Sequence, residues 1–366
     1  MIIYWSMIAV IGICAAINSM LNINIKLKNK FLVYFPMLYI VFWTGIRTQF
    51  VDTAAYIRTY ASIPANSIQS IREYVKGYDK DQLFYFLSGV FKYIFGDNYH
   101  YWLFAIALLC GMAVIHQIYK YSDSPFFALY LFMTMSIFTW LMNGIRQFIV
   151  ISLLFALSDW LLEKRKRWLY IIVVILLSFI HSSALFTLPF IIVVMFAKPW
   201  DWKMILLIAV IGVVISFAGS FLDVLTETVA QDYTETLDAS GGSSLLRTLV
   251  AAIPVVLSFV GRKLIRRRDD QYLNLCVNMS LVSALIYALS SFSNGILVGR
   301  MPMYFQVYNL ILLPWLIKNC FTQQSRKILM ILCMGCYLIY FIYQATVAGS
   351  YYYASDLTGF LGGEIW

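Results

Sequence analysis

An arginine beside a carboxylate can grip a phosphate while the carboxylate accepts a proton. Arg47 and Asp52, followed by Tyr56, offer that pairing just after an apolar run. The other reading of the pair is a snorkelling arginine and a solvated loop aspartate. Asn143-Gly144-Ile145-Arg146-Gln147 opens a second apolar run. An arginine there meets the positive end of the coming helix dipole, a mismatch that an anionic ligand relieves, because helix N-termini and guanidinium groups both bind phosphate. An ordinary interfacial arginine is the alternative. His181 lies in Phe179-Ile180-His181-Ser182-Ser183, at the tip of a short apolar hairpin. An imidazole there can act as general base, hydrogen-bond a phosphate, or simply cap its own turn. Gly299-Arg300-Met301-Pro302-Met303-Tyr304 opens a later run, and Arg247 opens another one hairpin earlier. Each signal is weak alone. Four arginines and one histidine at one membrane level imply a cationic pocket for an anionic, membrane-embedded substrate. His100 and His116 have no partner in the sequence and are read as structural.

The elements that must position these residues are membrane helices. Of the 366 residues, 61% are hydrophobic and only 12% charged, against roughly 25% charged in a soluble domain. Apolar runs of span length, about 20 residues, recur from Ile2 to Gln344. The first run, Ile2–Leu21, has neither the basic start nor the cleavage site of a signal peptide and is read as a span. The net charge of +9 resides mostly in short loops, which is positive-inside topology rather than a nucleic-acid-binding face. Five basic loops, around Lys26–Lys30, Lys164–Arg167, Lys198–Lys203, Arg262–Arg268 and Lys318–Lys327, are placed in the cytoplasm. Each pair of successive loops must then enclose an even number of spans. The expected spans are Ile2–Leu21, Phe31–Ile46, Tyr101–Tyr119, Phe126–Leu141, Gly144–Leu162, two within Trp168–Phe196, Met204–Leu222, Leu245–Gly261, Tyr272–Phe292, Met301–Ile317 and Ile328–Thr346. The prediction is an all-α polytopic membrane protein of about 12 transmembrane helices, a single transmembrane domain over 1–366 with both termini outside. The stretch 83–95 is short and helical in its apolar spacing, so it is read as an interfacial or re-entrant helix. The large outer loops are 47–98 and 223–244, the latter ending in the hinge-like Gly241-Gly242.

Of the six cysteines, Cys333 and Cys336 form a C-x-x-C without the further ligands that a zinc site needs, and all six are read as small buried hydrophobes. No P-loop, dinucleotide-binding glycine pattern, metalloprotease motif or G-x-S-x-G element is present. Cytosolic nucleotides and nucleotide sugars are therefore poor candidate substrates, and an outward site points to a lipid-linked donor.

Three segments resemble the EpsG family of bacterial exopolysaccharide proteins, allied to the Wzy-type O-antigen and capsule polymerases. They are Arg47 with Val51-Asp52-Thr53 and Tyr56; Asn143 to Gln147 continuing to Lys164–Arg167 and to His181-Ser182-Ser183-Ala184-Leu185 with Pro189; and Gly299-Arg300 with Tyr304. The chain departs from many relatives in carrying Phe50, where they have a glycine two residues before the aspartate. The resemblance implies polymerisation of undecaprenyl-pyrophosphate-linked repeat units on the outer side of the bacterial plasma membrane, a glycosyl transfer with no metal or other cofactor. For such a transfer without a metal, Arg146 and Arg300 are expected to compensate the leaving pyrophosphate with Arg47 assisting, Tyr56, Gln147, Arg247 and Tyr304 to line the site, and Asp52 to be the first choice of base with His181 the second. A chain-length regulator and a flippase are the further partners expected; nucleic acid is not. An O-antigen ligase would use a similar donor with a different acceptor. A lipid-linked glycan flippase would need cationic residues at the bilayer midplane, where this sequence has almost none.

Overall fold

The computed structural model describes residues 1–21, 29–196, 198–204, 206, 209, 245–291, 299–348 and 351–360. The expected outer loop 223–244 and almost all of the expected span Met204–Leu222 lie outside the described residues. The chain folds as two compact units, Met1–Leu185 with Gln324–Trp366, and Phe186–Gln323. Among the described residues there are helices and isolated β-bridges but no strand of any length.

In the first unit, α1 (Ile2–Met20) and α2 (Lys30–Gly45) are apolar on all sides, as lipid-facing helices are. Asn29 caps α2, its Oδ1 accepting from the Phe31 N–H at 3.1 Å. The segment that follows, expected as an outer loop, folds into α3 (Thr53–Ser62), α4 (Ile68–Val75) and α5 (Gln82–Phe95). Lys92 of α5 is buried and donates to the carbonyls of Tyr60, Ala61 and Ile63 at 3.2, 2.8 and 2.9 Å. A cation thus closes the negative end of α3 and ties α5 to it. A Cβ on Gly89 would stand 2.6 Å from Ile71 Cγ2, so only glycine lets α5 pack this closely on α4.

Helix α6 (Tyr99–Tyr121) has 23 residues and is therefore about 35 Å long, enough to cross a bilayer. It packs closely on α2 because Gly45 and Gly111 carry no side chain; a Cβ at either would come within 2.6 Å of Phe104 or Val41. The runs expected as straight spans over 126–141 and 144–162 are broken. Helix α7 (Pro125–Thr134) stops where Ser136 adopts φ +59°, and α8 (Phe138–Met142) is a separate piece. Helix α9 (Ile145–Ala156) passes into a 3-10 turn, Ser158–Leu162. These pieces form the core of the unit, with Phe132, Phe138, Phe148 and Phe155 fully buried. Helix α10 (Lys166–Leu177) turns at His181 into a second 3-10 segment, Ser182–Phe186.

The second unit contains α11 (Thr187–Phe196), α12 (Leu245–Val260), α13 (Arg262–Arg268), α14 (Gln271–Ser290), α15 (Met303–Gln306) and α16 (Asn309–Asn319). The α12–α13 pair bends by 66° at Gly261, where a Cβ would meet Cys320 Sγ at 2.5 Å. Asp270 caps α14, and Tyr287 donates to Gln306 Oε1 at 2.7 Å, joining α14 to α15.

The chain returns to the first unit through α17 (Gln323–Tyr343) and a π-turn, Gln344–Ala348. Residues 351–360 then lie along the start of segment 47–98. Gln49 pairs with Ala354, Ser355 Oγ donates to Ile46 O at 2.6 Å, and Tyr353 Oη donates to Trp43 O at 2.6 Å. Thr48 Oγ1 donates to Asp356 at 2.7 Å, and Tyr99 Oη donates to the same carboxylate at 3.1 Å.

Among the described residues, four helices are long and apolar enough to cross a membrane: Ile2–Met20, Tyr99–Tyr121, Gln271–Ser290 and Gln323–Ala348. The bent α12–α13 pair would be a fifth. The chain is an all-helical membrane protein. Among the described residues the other expected spans are shorter or broken helices; the break at Ser136 comes without a glycine or proline to announce it.

Candidate functional site

Asp81, not among the residues selected from the sequence, is the hub of segment 47–98 in the first unit. It occupies the residue before α5 in a left-handed conformation, φ +58°, where aspartate is tolerated because its short side chain bonds locally. It is only 7% exposed. One carboxylate oxygen accepts from Arg146 Nη1 at 2.9 Å and meets His181 Nδ1 at 3.1 Å. The other accepts from the Ser182 backbone N–H at 3.1 Å. Burial works against ionisation here, but the His181 hydrogen bond and charge, Arg146 and the Ser182 N–H outweigh it and hold the Asp81 carboxyl below its ordinary value. The residue is an acceptor-only anion at neutral pH.

Three separate elements converge on this carboxylate. Arg146 comes from the first turn of α9, and its side chain keeps 27% of its surface exposed. Its Nη1 also donates to Tyr85 Oη at 3.1 Å, one turn into α5, and the guanidinium hydrogen-bonds Tyr56 of α3. His181 and Ser182 come from the tip of the α10 hairpin, which is fastened to α5 by the Leu83 N–H donating to Phe179 O at 3.0 Å. The Tyr85 ring stacks on Tyr78 at 3.9 Å, and Tyr78 and Tyr74 share a hydroxyl contact of 2.7 Å.

Arg47 is used differently. It is 1% exposed. Its Nε donates to Thr53 Oγ1 at 3.0 Å, Nη2 to Met142 O at 2.9 Å, and Nη1 to Thr44 O. Those carbonyls belong to the last turns of α2 and α8, so one cation satisfies two helix C-termini. Burial lowers its pKa to about 10, which still leaves it charged at neutral pH. The Asp52 side chain is exposed, and its backbone N–H donates to Asn143 Oδ1 at 3.2 Å, linking the start of α3 to the Arg146 segment. Gln147 is buried.

Of the sequence-selected residues, the structure thus brings Arg146, His181 and Tyr56 around Asp81, with Asp52 beside the same segment and Arg47 behind it. Arg247, half-buried at the start of α12, exposed Arg300 and buried Tyr304 belong to the second unit.

The order of these segments along the chain was the basis of the resemblance, and a family model now decides it: the EpsG model matches residues 30–355. The chain belongs to the EpsG family. No curated protein and no solved structure matches it. The EpsG family is one of Wzy-like polysaccharide polymerases, which implies a glycosyltransferase-like reaction on a lipid-linked glycan at a membrane. The matched region takes in Asp81, Arg146 and His181.

Chemically, an imidazole whose Nδ1–H is held by a buried carboxylate presents Nε2 as a proton acceptor. An adjacent, partly exposed guanidinium can compensate phosphate charge. Among the described residues no group of three or more His, Cys, Asp or Glu is arranged to hold a metal ion.

Proposed function

We propose that this EpsG protein polymerises undecaprenyl-pyrophosphate-linked repeat units at the outer face of the plasma membrane. In this reading the 12 spans and the outward termini of the topology argument hold, and outer segment 47–98 carries the active centre. His181 Nε2 removes the proton from an acceptor hydroxyl as its oxygen attacks the anomeric carbon of the donor. The bond from that carbon to the pyrophosphate oxygen breaks, and the lipid pyrophosphate leaves with its charge compensated by Arg146. Asp81 fixes the His181 tautomer and stabilises the imidazolium that forms, the role a carboxylate plays behind any histidine base. Arg300 remains a proposed phosphate ligand on sequence grounds, and Asp52 the alternative base.

The observation that carries the proposal is the Asp81–His181 contact with Arg146 on the same carboxylate oxygen. Purified protein given one defined lipid-linked repeat unit should produce a ladder of products, unchanged by a chelator, and a single displacement should invert the anomeric configuration. A single addition to a lipid A-core acceptor without a ladder would mean a ligase. Retention of configuration would sink the one-step scheme.

A further inference from the structure

Beside the hub, an open groove of about 460 Å³ runs between α4, α5 and the tip of the α10 hairpin. Its floor is apolar: Val75, Leu83, Phe86 and Phe179. Its rim carries Arg72 and Lys76, four residues apart and so on one face of α4. Among the described residues neither cation pairs with a carboxylate. Two like charges held side by side over an apolar floor are an arrangement that an anion with a hydrocarbon body would complete.

The groove also continues a surface meant for lipid. Phe179 is 56% exposed, and below it Leu176, Ile175, Ile172, Leu169 and Trp168 are exposed at helical spacing along the whole of α10. The reactive end is equally close. Leu83 and Phe179, which line the floor, are joined backbone to backbone, and each lies two residues from a member of the Asp81–His181 pair. Gln82, also on the groove wall, donates to Tyr78 O at 2.7 Å, beneath the ring that stacks on Tyr85.

We infer that this groove seats the head-proximal isoprene units of the isoprenoid diphosphate lipid that carries the glycan, with Arg72 and Lys76 attracting its phosphates and the rest of the tail lying along α10. The volume falls within the usual range for a ligand pocket, roughly 300–1,000 Å³, so most of a long polyprenyl chain stays in the bilayer. The inference rests on the polymerase reading for the identity of the lipid but not for the existence of the site.

The test is photo-crosslinking of the full-length protein in nanodiscs. The probe is a sugar-free isoprenoid diphosphate bearing a diazirine in its first isoprene units, and the labelled peptides are read by mass spectrometry. Label should fall on 72–86 and on Phe179. Unlabelled isoprenoid diphosphate should compete, while phosphatidylglycerol at the same concentration should not. Phe86→Ser and the double variant Arg72→Glu with Lys76→Glu should each cut labelling at least tenfold. The double variant alters only exposed side chains, so it stays informative if Phe86→Ser misfolds. Label confined to other helices, or equal competition by phosphatidylglycerol, overturns the inference; the latter would make the groove a general phospholipid site. Because labelling needs no turnover, a protein that labels as expected but forms no ladder would retain the groove and lose the polymerase reading.

Discussion

Replacing Asp81 by Asn tests the hub with almost no change of volume. In the wild type one carboxylate oxygen accepts from the Ser182 N–H, while the other meets both Arg146 Nη1 and His181 Nδ1. An asparagine that keeps its carbonyl towards Ser182 turns its NH₂ donor towards both of the other groups. The reverse orientation opposes NH₂ to the Ser182 N–H. In the first arrangement His181 must accept at Nδ1, which moves its proton to Nε2 and removes the base. Loss of the correct tautomer in an Asp-His pair lowers kcat on the order of 10³–10⁴-fold, equivalent to roughly 4–5.5 kcal/mol of barrier. Arg146 loses a charge-assisted hydrogen bond worth about 1.5–3 kcal/mol, less here because the guanidinium is partly exposed. The assay is single-turnover transfer from a defined lipid-linked donor, with thermal unfolding in parallel to confirm a folded protein. Asp52→Asn is the comparator and should reduce the rate by less than about threefold, as its side chain faces solvent. A folded Asp81→Asn variant within tenfold of wild type, or an Asp52→Asn variant that is the more damaged, would refute the His181 assignment.

Arg146→Lys should slow transfer at least tenfold, because the ammonium keeps the charge but cannot hold Asp81, Tyr85 and a phosphate with one planar fork; initial rates at saturating donor check this. Arg300→Ala should raise the donor KM or lower kcat by a similar factor with normal membrane insertion, and wild-type kinetics would remove it from the site. The Asp81 carboxyl is depressed in the folded protein, so its contribution to stability is complete above the unfolded value of about pH 3.9 and is lost as pH falls through the folded value. The difference in unfolding temperature between wild type and Asp81→Asn should therefore shrink as pH falls below about 4. Val51 holds φ +40°, which a β-branched residue resists; Val51→Gly should recover about 1 kcal/mol of strain in thermal unfolding, partly offset by glycine's added chain entropy.

Which parts of this were legible in the sequence follows from contrast. Arg146 and His181 stood out because each is a polar residue set in apolar surroundings, and the structure brings both to one carboxylate. Asp81 was invisible for the opposite reason. It stands in the polar stretch Asp79-Lys80-Asp81, where nothing marks one carboxylate as buried. The available signal was its position as the residue before the apolar periodicity of 83–95, where an aspartate commonly begins a helix. That helix was legible from its spacing. The fragmentation of 126–162 was not, since Ser136 becomes left-handed under tertiary packing without a glycine or proline. Arg47 was correctly a helix-end cation in sequence terms, but only coordinates reveal that its three nitrogens are bonded within the protein. The departure at Phe50 also has a structural counterpart: its ring is fully buried and packs on Tyr351 at 5.4 Å, so the turn before Asp52 is held by the tail and not by a glycine.

That tail has a consequence for how the protein is made. Residues 351–360 bond to residues 43–49 across more than 300 positions of sequence, as the separation of 308 between Thr48 and Asp356 shows. The ribosome emits them after every other described part of the first unit, so the cover over the Arg47 clamp closes only once the second unit has been synthesised. Contacts of such sequence separation form late and slowly. A chain stalled or cleaved before Tyr351 would enter the membrane with its helices formed and the front of segment 47–98 still open.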